Sequence, residues 1–355
     1  MVRQRSGAIV TDDQQAPPRD LPPAAPEWRR RHVLDLDDFS RVEIETVLDT
    51  ADAMREILGR EIRRVPSLRG VTVVTLFYEA STRTRASFEL AGKVLGADVI
   101  NLSASGSSVE KGETLIDTVR TLQAIGADVV VMRHASSGAP YLAARDLNAA
   151  VINAGDGLHA HPTQALLDIF TLRSHLGDLR GKRIAIVGDV LHSRVARSNL
   201  WGLSAMGANV VLCGPPTLLP STYRNNDRDR DRLPAAAVEL DLDRALEGAD
   251  VVMTLRLQAE RQQSGLLPSL REYSRLYEIT ESRLRRAAPN VLVMHPGPMN
   301  EGVEIAPAVA HGARSLVEEQ VTNGVAVRMA LLYLLSRRGT ASAPQRQNGR
   351  LVVER

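Results

Sequence analysis

Two threonines, one serine and two arginines fill the five residues Ser81 to Arg85, "STRTR", soon after the apolar run "VTVVTLF". Hydroxyls and guanidinium groups are hydrogen-bond donors, and arginine adds fixed positive charge. Ser81, Thr82, Arg83 and Thr84 are expected to form the first turn of a helix that reaches about Leu95, with Gly96 ending it. A helix N-terminus presents backbone N–H groups without partners and a partial positive charge. Side-chain donors gathered at the same point make an anion site, most naturally for phosphate. An ordinary N-cap would need only one of these hydroxyls.

Other residues have the right types and spacing. His161 and Gln164 in "HPTQ" lie three apart at an expected helix start, where Pro162 is tolerated. Such a pair can donate to a carbonyl oxygen and accept from an amide. Arg256 and Gln258, on alternate residues at a strand end, suit a carboxylate. The loop "GSSVEKGET" (106–114) carries Lys111, which by itself reads more readily as a surface residue than as a ligand. It does not meet the P-loop order, and "GDVLHSR" does not meet G-x-G-x-x-G, so a nucleotide-binding dehydrogenase is not supported. His134, His159 and His192 have no comparable companions, and no histidine–carboxylate set has metal-ligand spacing.

These residues must be positioned by something. Short β-branched runs at 71–77, 97–102, 127–132, 150–154, 183–188, 208–214, 237–240, 249–255 and 290–295 alternate with helical patterns. The runs lack period-2 alternation, as expected of strands buried on both faces. Strand–helix–strand order predicts parallel sheets. The segment 161–177 is a helix able to bridge two α/β halves, and a last helix closes the chain. Polar clusters follow six of the runs: "YEASTRTR", "RH", "GDGLHAHPTQ", "DVLHSR", "RLQ" and "PGPMN". Ligands of open α/β sheets bind at the strands' carboxyl edge. Six clusters shared between two sheets predict an α/β protein of two doubly wound parallel-sheet domains with the active site in the cleft between them.

Composition agrees with a globular protein. The chain has 355 residues, 44% hydrophobic, with only 3% aromatic, so its cores are aliphatic. A net charge of +2 argues against nucleic-acid binding through bulk charge. Lys93, Lys111 and Lys182 are the only lysines among 44 basic residues, and a lysine is a compact charge that arginine does not mimic. The single cysteine, Cys213, excludes an internal disulfide and reads as a buried small hydrophobe. No apolar run is long enough to span a bilayer and no signal-peptide core is evident, so a soluble cytoplasmic protein is expected. Residues 1–31 and 339–355 read as flexible tails, and the charge run from Tyr223 to Leu233 as solvated.

Taken together, "STRTR", "MRH", "HPTQ", "GD…SR", "LRLQAER" and "HPGPMN" resemble the aspartate/ornithine carbamoyltransferase family over about residues 32–338. "HPGP" stands where the ornithine branch typically has "HCLP", and that branch lacks the Arg-x-Gln pair found at 256 and 258, so the resemblance is to the aspartate branch. It implies transfer of a carbamoyl group from carbamoyl phosphate to the amine of L-aspartate, giving N-carbamoyl-L-aspartate and phosphate in pyrimidine biosynthesis. It implies no metal or cofactor. It implies a carbamoyl phosphate domain (32–162 with 318–338) and an aspartate domain (163–317), in a homotrimer with shared sites. By the resemblance Ser81, Thr82, Arg83 and Thr84 hold phosphate, and Arg133 bridges phosphate and carbamoyl oxygen. His161 and Thr82 donate to that oxygen, and Gln164 accepts from the carbamoyl NH2. Arg194, Arg256 and Gln258 grip the aspartate carboxylates, Gly297 and Pro298 meet the reacting amine, and Ser107 and Lys111 come from a neighbouring chain. Two features depart from the family pattern: a longer N-terminal tail, and Glu301 where many relatives have arginine, an acid expected near an anionic substrate. A regulatory chain or a dihydroorotase partner is compatible with the resemblance. Carbamoyl transfer to another amine such as ornithine, or a non-catalytic assembly paralogue, are the competing readings; the complete set of site residues argues against the second.

Overall fold

A computed structural model describes residues 28–103, 113–221, 233–257, 266–267 and 269–341, with side chains to Ser336. All nine apolar runs form strands, each paired in parallel. The first sheet contains β1 (Thr72–Phe77), β2 (Asp98–Ser103), β3 (Val129–His134) and β4 (Ala150–Asp156), in the order β2-β1-β3-β4. The second contains β5 (Arg183–Val187), β6 (Asn209–Cys213), β7 (Ala237–Glu239), β8 (Val251–Thr254) and β9 (Leu292–Met294), in the order β7-β6-β5-β8-β9. In each sheet the chain steps outward from its first strand, then returns to that strand's other side. The order therefore reverses at β1/β3 and again at β5/β8, and such reversals open a crevice at the carboxyl edge.

Helices join the strands. In chain order these are α1 (Arg41–Leu58), α2 (Thr82–Val94), α3 (Leu115–Ala124), α4 (Ala139–Asp146), α5 (Pro162–Leu176) and α6 (Arg194–Ala205). Ser40 and Glu43 form a reciprocal capping box that starts α1. α5 runs from β4 to β5 and is buried along most of its length, as a bridge between halves must be. The closing helix, Val317–Ala341, packs against α1, α2 and α5. No helix among the described residues is long and apolar enough to cross a membrane.

Alternation across each strand divides the core. Val73, Phe77 and Val131 of the first sheet share one apolar cluster with Ile184, Ile186 and Met253 of the second and with the closing helix. The opposite faces hold separate clusters, Val74 and Val130 against Val119 and Leu122, and Val187 and Val252 against Tyr273 and Ile305. Cys213 lies in the latter, and burial pushes its thiol up to about 12, consistent with a packing role.

One expectation needs correcting. β2 and β7 are not buried on both faces: Asp98, Ile100, Asn101 and Ala237 are exposed. Both are edge strands, which the other layers only partly cover. The free edge of β4 is instead covered by the segment before α1, where Val33 pairs in parallel with Ile152. Of the expected 1–31 tail, residues 28–31 are described: Trp28 packs on Phe39, and Arg30 pairs with Glu43 at 2.7 Å. The charge run at 223–233 lies almost wholly outside the described residues.

Candidate active site

A cavity of about 800 Å³ opens at the carboxyl edges of both sheets. It is lined by Ser81, Thr82, Arg83, Thr84, Arg133, His161, Gln164, Arg194, Arg256, Gly297 and Pro298. Every described residue expected to bind a substrate is thus in one cavity. Ser107, Lys111 and Gln258 lie outside the described residues.

The anion-binding turn forms as its residue types require. Ser81 is the N-cap of α2, yet its side chain makes no capping hydrogen bond, and the first turn contains no acid. The N-terminus of a thirteen-residue helix therefore meets hydroxyl and guanidinium donors with no acid in its own first turn. Burial, and then the charge of Arg256, lower the pKa of Arg83. These two cations come from different sheets, and the cavity brings them near each other. An anion between them would relieve that repulsion.

Gly297 explains how Arg83 fits. The residue has φ 62°, a left-handed conformation, and the Arg83 guanidinium lies where its Cβ would be. The Gly297–Pro298 peptide bond is cis. His295, buried beneath this turn, accepts from the Gly297 N–H through Nδ1 at 2.7 Å, and its Nε2 is 3.3 Å from Glu304.

Glu79, two residues before Ser81, engages two of the cavity arginines. Its Oε2 is 3.3 Å from Arg133 Nε and 2.9 Å from Arg194 Nη2. Arg133 lies near the end of β3, and its Nη1 donates to the Ala154 carbonyl at 3.3 Å. Arg194, the first residue of α6, is only 3% exposed and also donates to the Gly157 carbonyl at 3.2 Å. Its guanidinium packs on Gly155, whose φ is 116°.

His161 is the N-cap of α5 and 5% exposed. Burial, followed by the charges of Arg133, Arg194 and Arg328, holds its imidazole pKa well below the usual 6.5. A neutral imidazole retains one N–H to donate and remains neutral while a neighbouring oxygen gains charge. Three residues further on, Gln164 donates through Nε2 to Asp168 at 2.9 Å.

Sequence reasoning missed several wall residues, among them Glu79, Ser87, Ser193, His295, Gln320 and Arg328. Glu79 and His295 lay inside quoted motifs, and their adjacency to arginine and proline-glycine turns was the available signal. Arg328 gave none, because one arginine in a long helix looks like any surface arginine. Glu301 does not bear out the concern it raised. It is absent from the cavity wall and pairs with His311 at 3.0 Å on the surface. The unassigned histidines also have local partners: His192 with Asp189 at 2.8 Å, His159 with Asp156 at 3.2 Å, and His134 with the Ser136 N–H at 2.9 Å. Among the described residues no group of three or more His, Cys, Asp or Glu is placed to hold a metal ion.

The cavity thus presents five arginines, one glutamate, two histidines and two carboxamides, with neutral His161 and Gln164 at the start of α5. That arrangement can bind two polyanions side by side and stabilise negative charge on an oxygen between them. Comparison with known proteins agrees. Residues 31–174 match the aspartate/ornithine carbamoyltransferase carbamoyl-P binding domain, and residues 180–335 match the Asp/Orn binding domain of the same family. The aspartate carbamoyltransferase catalytic subunit of Roseiflexus sp. (strain RS-1) is 65% identical over 309 residues, covering 87% of this chain and 96% of that protein. That of Chloroflexus aggregans is 62% identical, covering 87% and 99%. Aspartate transcarbamoylase from Trypanosoma cruzi, solved with carbamoyl aspartate and phosphate, superposes with a TM-score of 0.78 at 32% identity, covering 88% of this chain and 98% of that one. Ornithine carbamoyltransferase from Pyrococcus furiosus superposes at 0.75 with 27% identity, covering 86% and 97%. With both domain matches in order, catalytic subunits of the aspartate branch at such identity, and a cavity of this chemistry, the chain belongs to the aspartate/ornithine carbamoyltransferase family.

Proposed function

We propose that this cavity joins carbamoyl phosphate and L-aspartate to give N-carbamoyl-L-aspartate and phosphate. The observation that carries the reading is the grouping of five arginines, from the elements around both sheets and from the closing helix, in the cavity that holds the neutral imidazole of His161. Ser81, Thr82, Arg83, Thr84 and the α2 N-terminus hold the phosphate. Arg133 reaches from phosphate to the carbamoyl oxygen, where His161 and Thr82 also donate, and Gln164 accepts from the carbamoyl NH2. Arg194, Arg256 and Gln258 take the two aspartate carboxylates, and the Gly297–Pro298 turn receives the amine.

The aspartate nitrogen, with its lone pair free, attacks the carbamoyl carbon. A C–N bond forms, charge grows on the carbonyl oxygen, and the C–O bond to phosphate breaks. The departing phosphate takes the proton lost by the amine. Fixed donors aimed at the oxygen lower the barrier, and one such donor is worth about 3 kcal/mol. Placing two anionic substrates in contact removes much of the entropic cost of their meeting. Arginines on both sides offset their mutual repulsion.

The working unit is a cytoplasmic homotrimer in which Ser107 and Lys111 of one chain complete the site of the next. The position of the edge strand β2 supports this reading, because it leads directly into the segment carrying both residues. Ile100 on β2 is 39% exposed and Leu90 on α2 is 48% exposed, an apolar edge that a neighbouring chain would cover.

The choice of amine tests the function. With saturating carbamoyl phosphate, aspartate should be carbamoylated and ornithine should not. Product from ornithine and none from aspartate would place the chain in the other branch.

A further inference from the structure

Asp168 is fully buried on α5, one turn beyond Gln164, and three carboxamides from three helices converge on it. Gln164 Nε2 and Gln320 Nε2 donate to Oδ1 at 2.9 and 2.8 Å, and Asn199 Nδ2 donates to Oδ2 at 2.8 Å. Gln320 comes from the closing helix and Asn199 from α6. A carboxylate that receives three N–H groups acts only as an acceptor, so each amide must turn its NH2 toward it.

Two of the amides are fixed by a second partner. Gln320 Oε1 accepts from the His295 backbone N–H at 3.1 Å, and Asn199 Nδ2 also donates to the Val195 carbonyl at 3.1 Å. Each of those partners has only one possible role. For Gln164 the hydrogen bond that fixes the orientation is the one to Asp168. With its NH2 on Asp168, the Oε1 of Gln164 is left for the cavity that this residue lines.

A buried cation also acts on the carboxylate through its charge, without an ion pair to it. Arg328, on the closing helix, is 4% exposed, lines the same cavity and sits over the Phe88 ring at 5.3 Å. Its Nε has no hydrogen-bond partner among the described residues. Burial lowers its pKa to about 10, and the charge of Asp168 opposes that shift. Burial pushes Asp168 up to about 6, against its three amide hydrogen bonds and Arg328.

We propose that Asp168 is a positioning residue that sets substrate specificity: it holds Gln164 with its carbonyl oxygen toward the cavity, so that the site selects an acyl phosphate bearing NH2 over one bearing a methyl group. The inference rests on the reading of Gln164 as the acceptor of the carbamoyl NH2. If Asp168 becomes an amide, it no longer dictates which end of Gln164 faces the cavity. The acceptor is then present only part of the time, and an N–H aimed at the carbamoyl NH2 opposes binding for the rest. Acetyl phosphate, which has no N–H at that position, loses no hydrogen bond.

The test is calorimetric binding of carbamoyl phosphate and of acetyl phosphate to the full chain and three variants. Asp168→Asn should raise the Kd for carbamoyl phosphate roughly tenfold, the value of about one hydrogen bond, and leave acetyl phosphate nearly unchanged. Because Asp168→Asn also removes the negative charge that acts on buried Arg328, the paired variant Asp168→Asn with Arg328→Gln is measured alongside it. Gln164→Leu should erase the same preference. A folded Asp168→Asn or paired variant that keeps the wild-type preference, while Gln164→Leu loses it, overturns this inference and leaves the reading of Gln164 intact. A Gln164→Leu chain that keeps the preference overturns both.

Discussion

Glu79 accepts from Arg194 across the cleft at 2.9 Å, joining the turn after β1 to the first residue of α6. The same carboxylate oxygen is 3.3 Å from Arg133 Nε, so one acid aligns two of the five cavity arginines. Glu79→Gln keeps the shape but removes the charge that orients both. A hydrogen bond to a charged group contributes about 1.5–3 kcal/mol, so kcat/KM should fall about 10- to 100-fold, with the KM for aspartate rising more than that for carbamoyl phosphate. Steady-state kinetics with each substrate varied would measure this, and an unchanged aspartate KM would refute the alignment.

Gly297→Ala makes a different demand. The residue sits at φ 62°, and the Arg83 guanidinium occupies the Cβ position. An alanine in that conformation costs about 1–2 kcal/mol and must push Arg83 away from the α2 N-terminus. Phosphate affinity, measured by inhibition, should weaken by about tenfold or more, a loss on the order of one charge-assisted hydrogen bond. A variant with wild-type phosphate affinity would show that the close approach is dispensable.

His161 gives a prediction in pH. Its folded pKa lies well below 6.5, where the unfolded chain titrates. Between those values the unfolded state binds the extra proton. The stabilisation is therefore fully present above about pH 6.5 and is lost progressively as pH falls toward the folded pKa. One proton is worth about 1.4 kcal/mol per pH unit. Urea unfolding at pH 6.5 and 5.5 should show His161→Gln losing less stability than the wild type, by about 1 kcal/mol because the unfolded imidazole is already half protonated at pH 6.5. Equal losses would mean that the folded imidazole titrates normally.

How far the sequence revealed this arrangement depended on what each residue shows locally. The nine strands were legible because β-branched runs between helical patterns have few other uses, and "STRTR" was legible because four donors exceed any capping need. Asp168 and Arg328 were not. Their importance comes from burial, and neither an aspartate in "ALLDIF" nor an arginine in "VAVRMA" shows that three helices will close over it. The exposed face of β2 was misread because an apolar run does not show whether its strand lies at an edge. Glu79 stood inside the stretch that drew attention, but its partner Arg194 is 115 residues away in the chain.

The proposed homotrimer with shared sites has its own test. Lys111→Ala and Arg83→Ala chains should each be nearly inactive, and dissociated and reassembled mixtures should regain part of the wild-type activity, because some sites then combine an intact Arg83 with a neighbour's intact Lys111. Hybrid trimers that form without recovering activity would show that each chain builds its own site.

The most direct measurement follows carbon-13 carbamoyl phosphate by NMR in the presence of the purified full-length chain and L-aspartate. The label should appear in N-carbamoyl-L-aspartate, with one phosphate released per molecule formed, and an Arg256→Ala chain should form it far more slowly. Phosphate release without labelled carbamoyl aspartate, or no turnover by the assembled wild-type protein at saturating substrates, would contradict carbamoyl transfer to aspartate.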